Sequence, residues 1–304
     1  METKFIRAND KNAVEDAAKA LREGQVVAFP TETVYGLGAN ACDASSVAKI
    51  FEAKGRPSDN PLIVHIHDLK QVDEIAAEVT PLAKKLMDSF MPGPITVIVK
   101  KSDKIPFEVT AGLDTVGIRM PSDKTCNEFL KACDCPVAAP SANLSGSPSP
   151  TSASHVMNDM NGRIYAVIDG GESIVGLEST VVDATGEMPV ILRPGAVTKE
   201  MIERACLKDT SYAGKKDDDS APMAPGMKYR HYAPNAEVVI VPLTQEQLEY
   251  PTVTVPTEAE EGKDPIRDLP DESKKILFDL ASPYIMKCRE ILDSNPVARI
   301  GIYA

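Results

Sequence analysis

The feature that most constrains the fold of this 304-residue chain is the alternation of helix-period segments with short, apolar, strand-like runs. Apolar residues three and four positions apart mark a first helix at 13–21, and a buried strand follows at 25–29. Further helices are predicted at 45–53, 81–89, 124–133, 152–158 and 199–205. Further strands are predicted at 62–67, 95–99, 116–119, 137–139, 166–168, 180–182 and 190–192. This alternation predicts an α/β fold in which helices flank a twisted mixed sheet.

The character of the chain changes near residue 208. A charge run at 215–220 and a turn-rich stretch at 221–226 follow, so we predict a first domain over 1–207 and a linker over 208–235. Residues 236–304 carry a strand, a helix and another strand. About 70 residues with so few strands make a marginal core, so we expect a small, incomplete, Rossmann-like α/β domain there.

Composition excludes several classes of function. No run of about 18 apolar residues occurs and the N-terminus lacks an apolar signal segment, so we expect a soluble, cytoplasmic protein with no membrane partner. The six cysteines form no CxxC pair, which argues against a zinc ribbon and against a disulfide framework. The net charge of −12 opposes an extended nucleic-acid surface, although it allows a local basic concavity.

The richest local signal begins where the strand at 25–29 ends. Pro30 stops the strand, and two threonines, a tyrosine and two glycines follow it closely. Farther along, Lys54 and Arg56 are separated by a single glycine, and prolines on their C-terminal side restrict the backbone. Two cations held by a loop in this way suit a polyphosphate ligand.

Three familiar motifs do not fit. The run from Gly36 to Ala41 has the GxGxxA form of a dinucleotide site, but it lies too far after the strand, so its glycines are interpreted as turn and packing residues. No GxxxxGK[ST] sequence of a P-loop occurs. His65 and His67 share a strand face, yet no third metal ligand has a suitable spacing. We therefore interpret His65 as a hydrogen-bonding residue and His67 as a surface residue, and predict no metal ligand among the side chains.

Hydroxyl, amide and guanidinium groups follow other predicted strands. Ser141, Asn143 and Ser145 share one loop without a GxSxG nucleophile motif, so the loop is either a ligand-binding segment or a capped turn. Arg119 and Arg193 each stand at a strand end, and each alone is equally explained by a surface ion pair. A set of such arginines with hydroxyl loops between them is more specific for an anionic ligand.

The combination of these segments resembles the threonylcarbamoyl-AMP synthase family, the YrdC-domain proteins, in its longer form. The matching motifs, in order, are Pro30-Thr-Glu-Thr-Val-Tyr-Gly36, Lys54-x-Arg56 with Asn60-Pro-Leu, Arg119, Ser141-x-Asn143, Glu178-Ser-Thr, Arg193-Pro-Gly and Pro225-Gly-Met-Lys-Tyr-Arg-His-Tyr-Ala-Pro234. So many separated motifs in one order rarely arise by chance. The resemblance implies a YrdC-like catalytic domain over 1–207, with its sheet and helices arranged around a concave site.

The resemblance also implies an activity. L-threonine, bicarbonate and ATP would be condensed to threonylcarbamoyl-AMP with release of pyrophosphate. The product would supply downstream tRNA-modifying threonylcarbamoyltransferase proteins, which form N6-threonylcarbamoyladenosine at position 37 of tRNA; direct tRNA binding is left open. Mg²⁺ would accompany ATP, and no tightly bound cofactor is expected. The reaction needs no protein nucleophile, so positioning and charge neutralisation are the expected contributions of the protein.

The family's site residues carry over to matching positions of this sequence. By similarity, threonine is bound by Thr33, His65, Arg119, the Ala139 backbone and Ser179. ATP is bound by Lys54, Arg56, Asn60, Thr115, Ser141, Asn143, Ser149 and Arg193, of which Lys54 and Arg56 are also expected to act in catalysis. In the linker, Tyr229, Arg230 and Tyr232 are expected to close over the site as a lid that excludes water.

Two other functions fit parts of the pattern. The first is a double-stranded RNA-binding or ribosome-maturation module, because the family's core is associated with a concave basic surface. The acidic balance and the lack of an aromatic RNA-binding platform weigh against it. The second is a carbamoyl-transfer domain of the kind found in hydrogenase maturation proteins, but those proteins carry acylphosphatase and zinc-finger regions that this sequence lacks.

Overall fold

A computed structural model describes residues 2–214 of the chain. The predicted lid residues Tyr229, Arg230 and Tyr232, the predicted domain at 236–304 and most of the predicted linker lie outside the described residues. Among residues 2–214, no helix is both long enough and apolar enough to cross a membrane.

The described residues form twelve strands and eight helices. The strands are β1 (Lys4–Arg7), β2 (Val27–Phe29), β3 (Gly36–Asn40), β4 (Ile63–His65), β5 (Ala76–Glu78), β6 (Ile95–Lys101), β7 (Thr115–Arg119), β8 (Val137–Ala139), β9 (Ala166–Asp169), β10 (Thr180–Asp183), β11 (Val190–Arg193) and β12 (Ser211–Tyr212). The helices are α1 (Lys11–Arg22), α2 (Ala44–Lys54), α3 (Val72–Ile75), α4 (Pro81–Phe90), α5 (Phe107–Thr110), α6 (Lys124–Cys133), α7 (Ala153–Met160) and α8 (Lys199–Cys206). A 3₁₀ turn at Leu69–Gln71 precedes α3.

The strands belong to one mixed sheet. Their order is β1-β9-β2-β3-β8-β4-β7-β6-β10-β11-β12, and β5 pairs with the end of β6. The sheet contains parallel pairs, such as β4 with β7, and antiparallel pairs, such as β3 with β8. The predicted mixed sheet is confirmed, and it extends through β12 into the first residues of the segment predicted as a linker.

Both faces of the sheet are covered, as the alternation of side chains along β2 shows. Val27 and Phe29 join a core that includes Leu21 of α1 and Phe129 of α6. Ala28 points the other way, into the larger core that contains Ile50 of α2 and many residues of the central strands. Successive strand residues point to opposite faces, so a central strand with helices on both sides must be apolar throughout.

Helix boundaries follow local chemistry. The Asp43 side chain accepts a hydrogen bond from Ser45 N and caps the start of α2. Gly55 ends that helix in the left-handed conformation, with φ of 60°, which costs little without a Cβ. The helix therefore ends between Lys54 and Arg56.

The interpretation of the glycines after Pro30 was half right. Gly36 and Gly38 do not lie in a turn, because β3 pairs antiparallel with β2. The packing interpretation is confirmed, since the ring of Phe29 lies across β3. A Cβ at Gly36 would come within 2.9 Å of Phe29 Cζ, and one at Gly38 within 2.8 Å of Phe29 Cε1. The two glycines therefore leave the space that the ring of Phe29 occupies.

Candidate active site

A pocket lies beside the central strands and collects segments that are distant in the sequence. It is bounded by the loop after β2, by residues of β4, β7 and β8, and by the segments around Glu178 and Arg193. Eight of the residues predicted to bind substrates line it: Thr33, Arg56, His65, Arg119, Ala139, Ser141, Ser179 and Arg193. Strand register accounts for part of this convergence, because His65 pairs with Arg119 on β7 and with Val137 on β8.

Arg119 is anchored by the loop that follows β2. Its Nη1 donates to Thr33 Oγ1 at 2.8 Å, and Thr33 Oγ1 lies 2.9 Å from Thr31 Oγ1. Thr31 Oγ1 in turn donates to Val34 O at 2.7 Å. Arginine can only donate and a backbone carbonyl can only accept, so the donors run in one direction, from Arg119 through Thr33 and Thr31 to Val34.

Glu32 supplies the counter-charge of Arg119. Arg119 Nη2 lies 2.8 Å from Glu32 Oε2, and the two side chains are only 4% and 2% exposed. Neither Glu32 oxygen accepts an aligned hydrogen bond from the described residues. The carboxylate therefore acts on Arg119 through charge. A buried ion needs such a partner, because desolvating an unpaired charge costs several kcal/mol.

His65 presents a neutral ring at this pocket. Burial lowers its pKa to about 3, and the positive charge of Arg119 acts in the same direction. Its Nδ1 lies 3.2 Å from Ile63 O, and the edge of its ring packs against Phe29 at 5.8 Å between centroids. In the tautomer that carries its proton on Nδ1, the ring donates to Ile63 O. The ring can thus bind a ligand by hydrogen bonding without adding charge.

Lys54 holds the loop that follows β8. Its Nζ donates to Ser141 O and to Asn143 O, each at 2.6 Å. Burial lowers the pKa of this amine to about 7, and Arg56 contributes to the decrease. The side chain is 3% exposed, so in this structure it shapes the rim of the pocket and does not line it. Its charge is poised to change near neutral pH.

Two predicted asparagines lie outside the lining of the pocket. The Asn143 amide donates to Leu144 O at 2.9 Å and to Ser147 O at 2.7 Å, which folds the loop onto itself. Asn60 is fully buried, and neither polar atom of its side chain has a partner among the described residues. Buried amides are normally satisfied, so Asn60 retains hydrogen-bonding capacity that a ligand can use.

On the opposite wall, Arg193 is tied to the segment before β10. Its Nε donates to Ser179 O and its Nη2 to Ser179 Oγ, both at 3.1 Å, and its Nη1 pairs with the Glu178 carboxylate. Glu178 Oε1 also accepts from Ser149 Oγ at 2.8 Å. Gly195 permits this close approach, because a Cβ there would lie 2.6 Å from Glu178 O.

The family model described as "Telomere recombination", which groups Sua5, YciO and YrdC proteins, matches residues 19–195. A second family model, described as "Threonylcarbamoyl-AMP synthase, C-terminal domain", matches residues 197–278. The chain belongs to the threonylcarbamoyl-AMP synthase family.

Relatives of this family match most of the chain. The threonylcarbamoyl-AMP synthase of Bacillus subtilis is 43% identical over 311 residues, covering 100% of this chain and 88% of the relative. That of Pyrococcus abyssi is 52% identical over 228 residues, covering 74% of this chain and 66% of the relative. The crystal structure of Pyrococcus abyssi Sua5 complexed with L-threonine superposes with a TM-score of 0.74 at 49% identity, over 78% of this chain and 70% of that one.

Five predicted site residues of this family member do not line the main pocket: Lys54, Asn60, Thr115, Asn143 and Ser149. Thr115 lines a second, smaller cavity with Leu62, Thr96, Gly117 and other residues, and it does not line the main pocket. Its position at the start of β7 explains the separation, because Arg119, which does line the pocket, ends the same strand.

Sequence reasoning assigned no role to several residues that line the pocket or hold its arginines in this family member. Glu32 and Glu178 stand inside the quoted motifs, but their partners are known only once the register of β7 and β11 is fixed. Tyr35 lines the pocket, donates to Gly171 O at 2.6 Å, and has its pKa raised to about 12 by burial. The signal available in the sequence was the density of polar residues between Pro30 and Gly36.

Proposed function

We propose that this protein synthesises threonylcarbamoyl-AMP from L-threonine, bicarbonate and ATP, with release of pyrophosphate. The observation that carries the proposal is the convergence of Arg119, His65, Thr33 and Ser179 on one pocket in a member of this family. A relative that is 49% identical was solved with L-threonine. An amino-acid ligand accordingly suits the most enclosed part of this pocket.

The amino-acid subsite is assigned to the groups around Arg119. A guanidinium binds a carboxylate through two parallel hydrogen bonds, and the hydroxyls and Glu32 hold this guanidinium in place before substrate arrives. Ser179 and the Ala139 backbone line the same wall. His65 remains neutral, so it orients the substrate without repelling the ammonium group.

The nucleotide subsite is assigned to the rim. Arg56, Ser141 and Arg193 line the pocket, Lys54 and Asn143 fix the backbone of the Ser141 loop, and Asn60 offers a buried amide. Ser149 supports Glu178 and through it Arg193. Thr115 lines a smaller cavity that shares Ile63 with the pocket, so we keep it in this subsite. Positive charge at the rim would stabilise the charge that develops on the triphosphate.

The chemistry follows from these placements. The threonine amine is carboxylated by bicarbonate or carbon dioxide, and the carbamate oxygen attacks the α-phosphorus of ATP, which breaks the bond to pyrophosphate. When the protein holds the carbamate in line with the α-phosphate of ATP, the reaction gains the rate advantage of proximity. The described residues contain no group of three His, Cys, Asp or Glu side chains that could hold a metal. We assign Mg²⁺ to the triphosphate, as part of the substrate.

The fate of the product extends the proposal. We assign the adenylate to tRNA-modifying threonylcarbamoyltransferase proteins in the cytoplasm, which would use it for N6-threonylcarbamoyladenosine at position 37 of tRNA. We do not propose the double-stranded RNA-binding alternative, because the predicted residues converge on an enclosed pocket and not on an extended basic surface.

The test uses the purified full chain with L-threonine, bicarbonate and Mg-ATP. Mass spectrometry should detect threonylcarbamoyl-AMP, and pyrophosphate release should require all three substrates. Arg119→Lys keeps the charge but loses the bidentate geometry, so it should raise the KM for threonine more than the KM for ATP. Absence of the adenylate from a folded wild-type protein with all substrates present would overturn the proposal.

A further inference from the structure

Two cysteines lie just beyond the paired part of β3 and β8. The register of these antiparallel strands places Ala39 opposite Ala138 and Asn40 opposite Val137. One further hydrogen bond joins the two segments, because Ala41 N donates to Pro136 O at 2.9 Å. Cys42 follows Ala41, and Cys135 precedes Pro136.

The two cysteines lie in turns on either side of one hydrogen-bonded pair. Cys42 lies in the turn that Asp43 N closes on Asn40 O at 3.2 Å, and Cys135 lies in the bend that precedes β8. Each cysteine is therefore one residue away from the pair formed by Ala41 and Pro136. A disulfide requires a Cα separation of about 4.4–6.8 Å. The turn and the bend lie outside the paired strands, so their backbone can adjust to that separation without breaking the pairing of β3 with β8.

Exposure and charge agree with this placement. Cys42 is exposed and Cys135 is half-buried, so a small molecule reaches Cys42 first. Burial raises the pKa of Cys135 to about 12, and the charge of a Cys42 thiolate contributes to the increase. Burial also raises the pKa of Cys42, so both thiols react slowly at neutral pH.

We propose that Cys42 and Cys135 form a thiol–disulfide exchange site whose co-reactant is a small-molecule disulfide of the glutathione type. The Cys42 thiolate attacks one sulfur of the disulfide and releases one thiol. The Cys135 thiolate then attacks Cys42 Sγ and releases the second thiol. Two protein thiols are oxidised to a cystine, and one disulfide is reduced to two small thiols, so electrons and protons balance.

The crosslink would act on the substrate pocket through the strands that it joins. The same strand pair carries Gly36 and Ala139 at the pocket wall. A bond at Cys42 and Cys135 would fix the relative position of β3 and β8 and would restrict the unfolded chain between the two cysteines. We expect a higher Tm for the oxidised protein, reversed by dithiothreitol.

The experiment incubates the reduced full chain with oxidised glutathione over several hours. Peptide mapping without reduction should find a peptide that joins Cys42 to Cys135, and the intact mass should fall by two hydrogens. Cys42→Ser should abolish both the crosslink and the shift in Tm. Cys135→Ser should instead accumulate a glutathione adduct on Cys42. Cys206→Ala, which removes a thiol remote from the pair, should behave as wild type.

Three results would overturn the inference. One is a stable glutathione adduct on Cys42 in the wild-type chain with no crosslink. Another is a crosslink that joins Cys135 to Cys133 or to Cys288. The third is no reaction at Cys42 while exposed thiols of a control peptide are fully modified. None of these readouts depends on the proposed enzymatic activity, so the two proposals fail separately.

Discussion

Arg119 and Glu32 form an ion pair, with 2.8 Å between Nη2 and Oε2, that is almost wholly removed from solvent. The pair joins the end of β7 to the loop after β2. Because it is buried, it fixes the position of the guanidinium at the substrate pocket, and its two charges nearly cancel there. Removing either partner would leave the other charge buried without compensation.

Glu32→Gln should therefore destabilise the protein by about 3–5 kcal/mol, the usual cost of breaking a buried ion pair. Urea unfolding followed by circular dichroism measures this change. Calorimetry with L-threonine should also show weaker binding, because Arg119 is no longer held. As a control, Asp88→Asn breaks the exposed pair with Lys84 and should cost less than about 1 kcal/mol. Equal losses in the two variants would contradict this account.

His65 should make the protein sensitive to mild acid. Its pKa falls to about 3 in the folded state, so between pH 6.5 and 3 the unfolded chain binds a proton that the folded chain does not. Stability therefore decreases as the pH falls below about 6.5, approaching about 1.4 kcal/mol per pH unit. Unfolding of wild type and His65→Asn at pH 7 and pH 5 tests this. The variant should lose less stability over that interval; parallel losses would refute the neutral histidine.

Lys54 should make the stability of the folded protein increase with pH above neutrality. Its folded pKa of about 7 lies below the ordinary value of 10.5, so the unfolded chain binds more protons between these values. Stability relative to Lys54→Met should rise with pH from about 7 to about 10.5. If the ammonium also attracts the triphosphate, ATP affinity should fall from pH 6.5 to 8.5. Arginine stays charged over this pH range, so the ATP affinity of Lys54→Arg should fall less with pH than that of wild type.

Gly195→Ala should disturb the Arg193 side of the pocket. The added Cβ would meet Glu178 O and Thr180 N at 2.6 Å, and both are backbone atoms. We expect a loss of stability of about 1–3 kcal/mol from overpacking and a higher KM for ATP. Gly186→Ala is the matched control, since a Cβ there meets nothing within 4 Å. Wild-type stability and kinetics in the Gly195→Ala variant would show that the backbone relaxes freely.

The sequence predicted the elements whose signals are local. Amphipathic periodicity located α1 and α6, and apolar β-branched runs located β6 and β10. It missed β3, because glycines at 36 and 38 have low strand propensity. It also missed β1 at Lys4–Arg7 and the short β5, α3 and α5, whose few residues carry too little periodicity to recognise.

The candidate site was predictable in its residue types and less so in its pairing. Arginines at strand ends were recognised, and the structure brings Arg119 and Arg193 to one pocket. The carboxylates that hold them, Glu32 and Glu178, could not be paired from sequence, because each partner is more than ten positions away and depends on strand register. The position of Thr115 in another cavity could not be predicted either, because it also depends on strand register.

The one-way run of hydroxyl donors from Arg119 to Val34 has a consequence for recognition. Thr33 receives a hydrogen from Arg119 and gives its own to Thr31, so what it has left for a ligand is a lone pair. A hydroxyl oxygen can accept two hydrogen bonds. At Thr33 one of them comes from Arg119, so one acceptor position is left for a ligand. At this point the pocket distinguishes the polarity of an incoming atom: an ammonium or alcohol hydrogen is bound, whereas a bare oxygen is repelled.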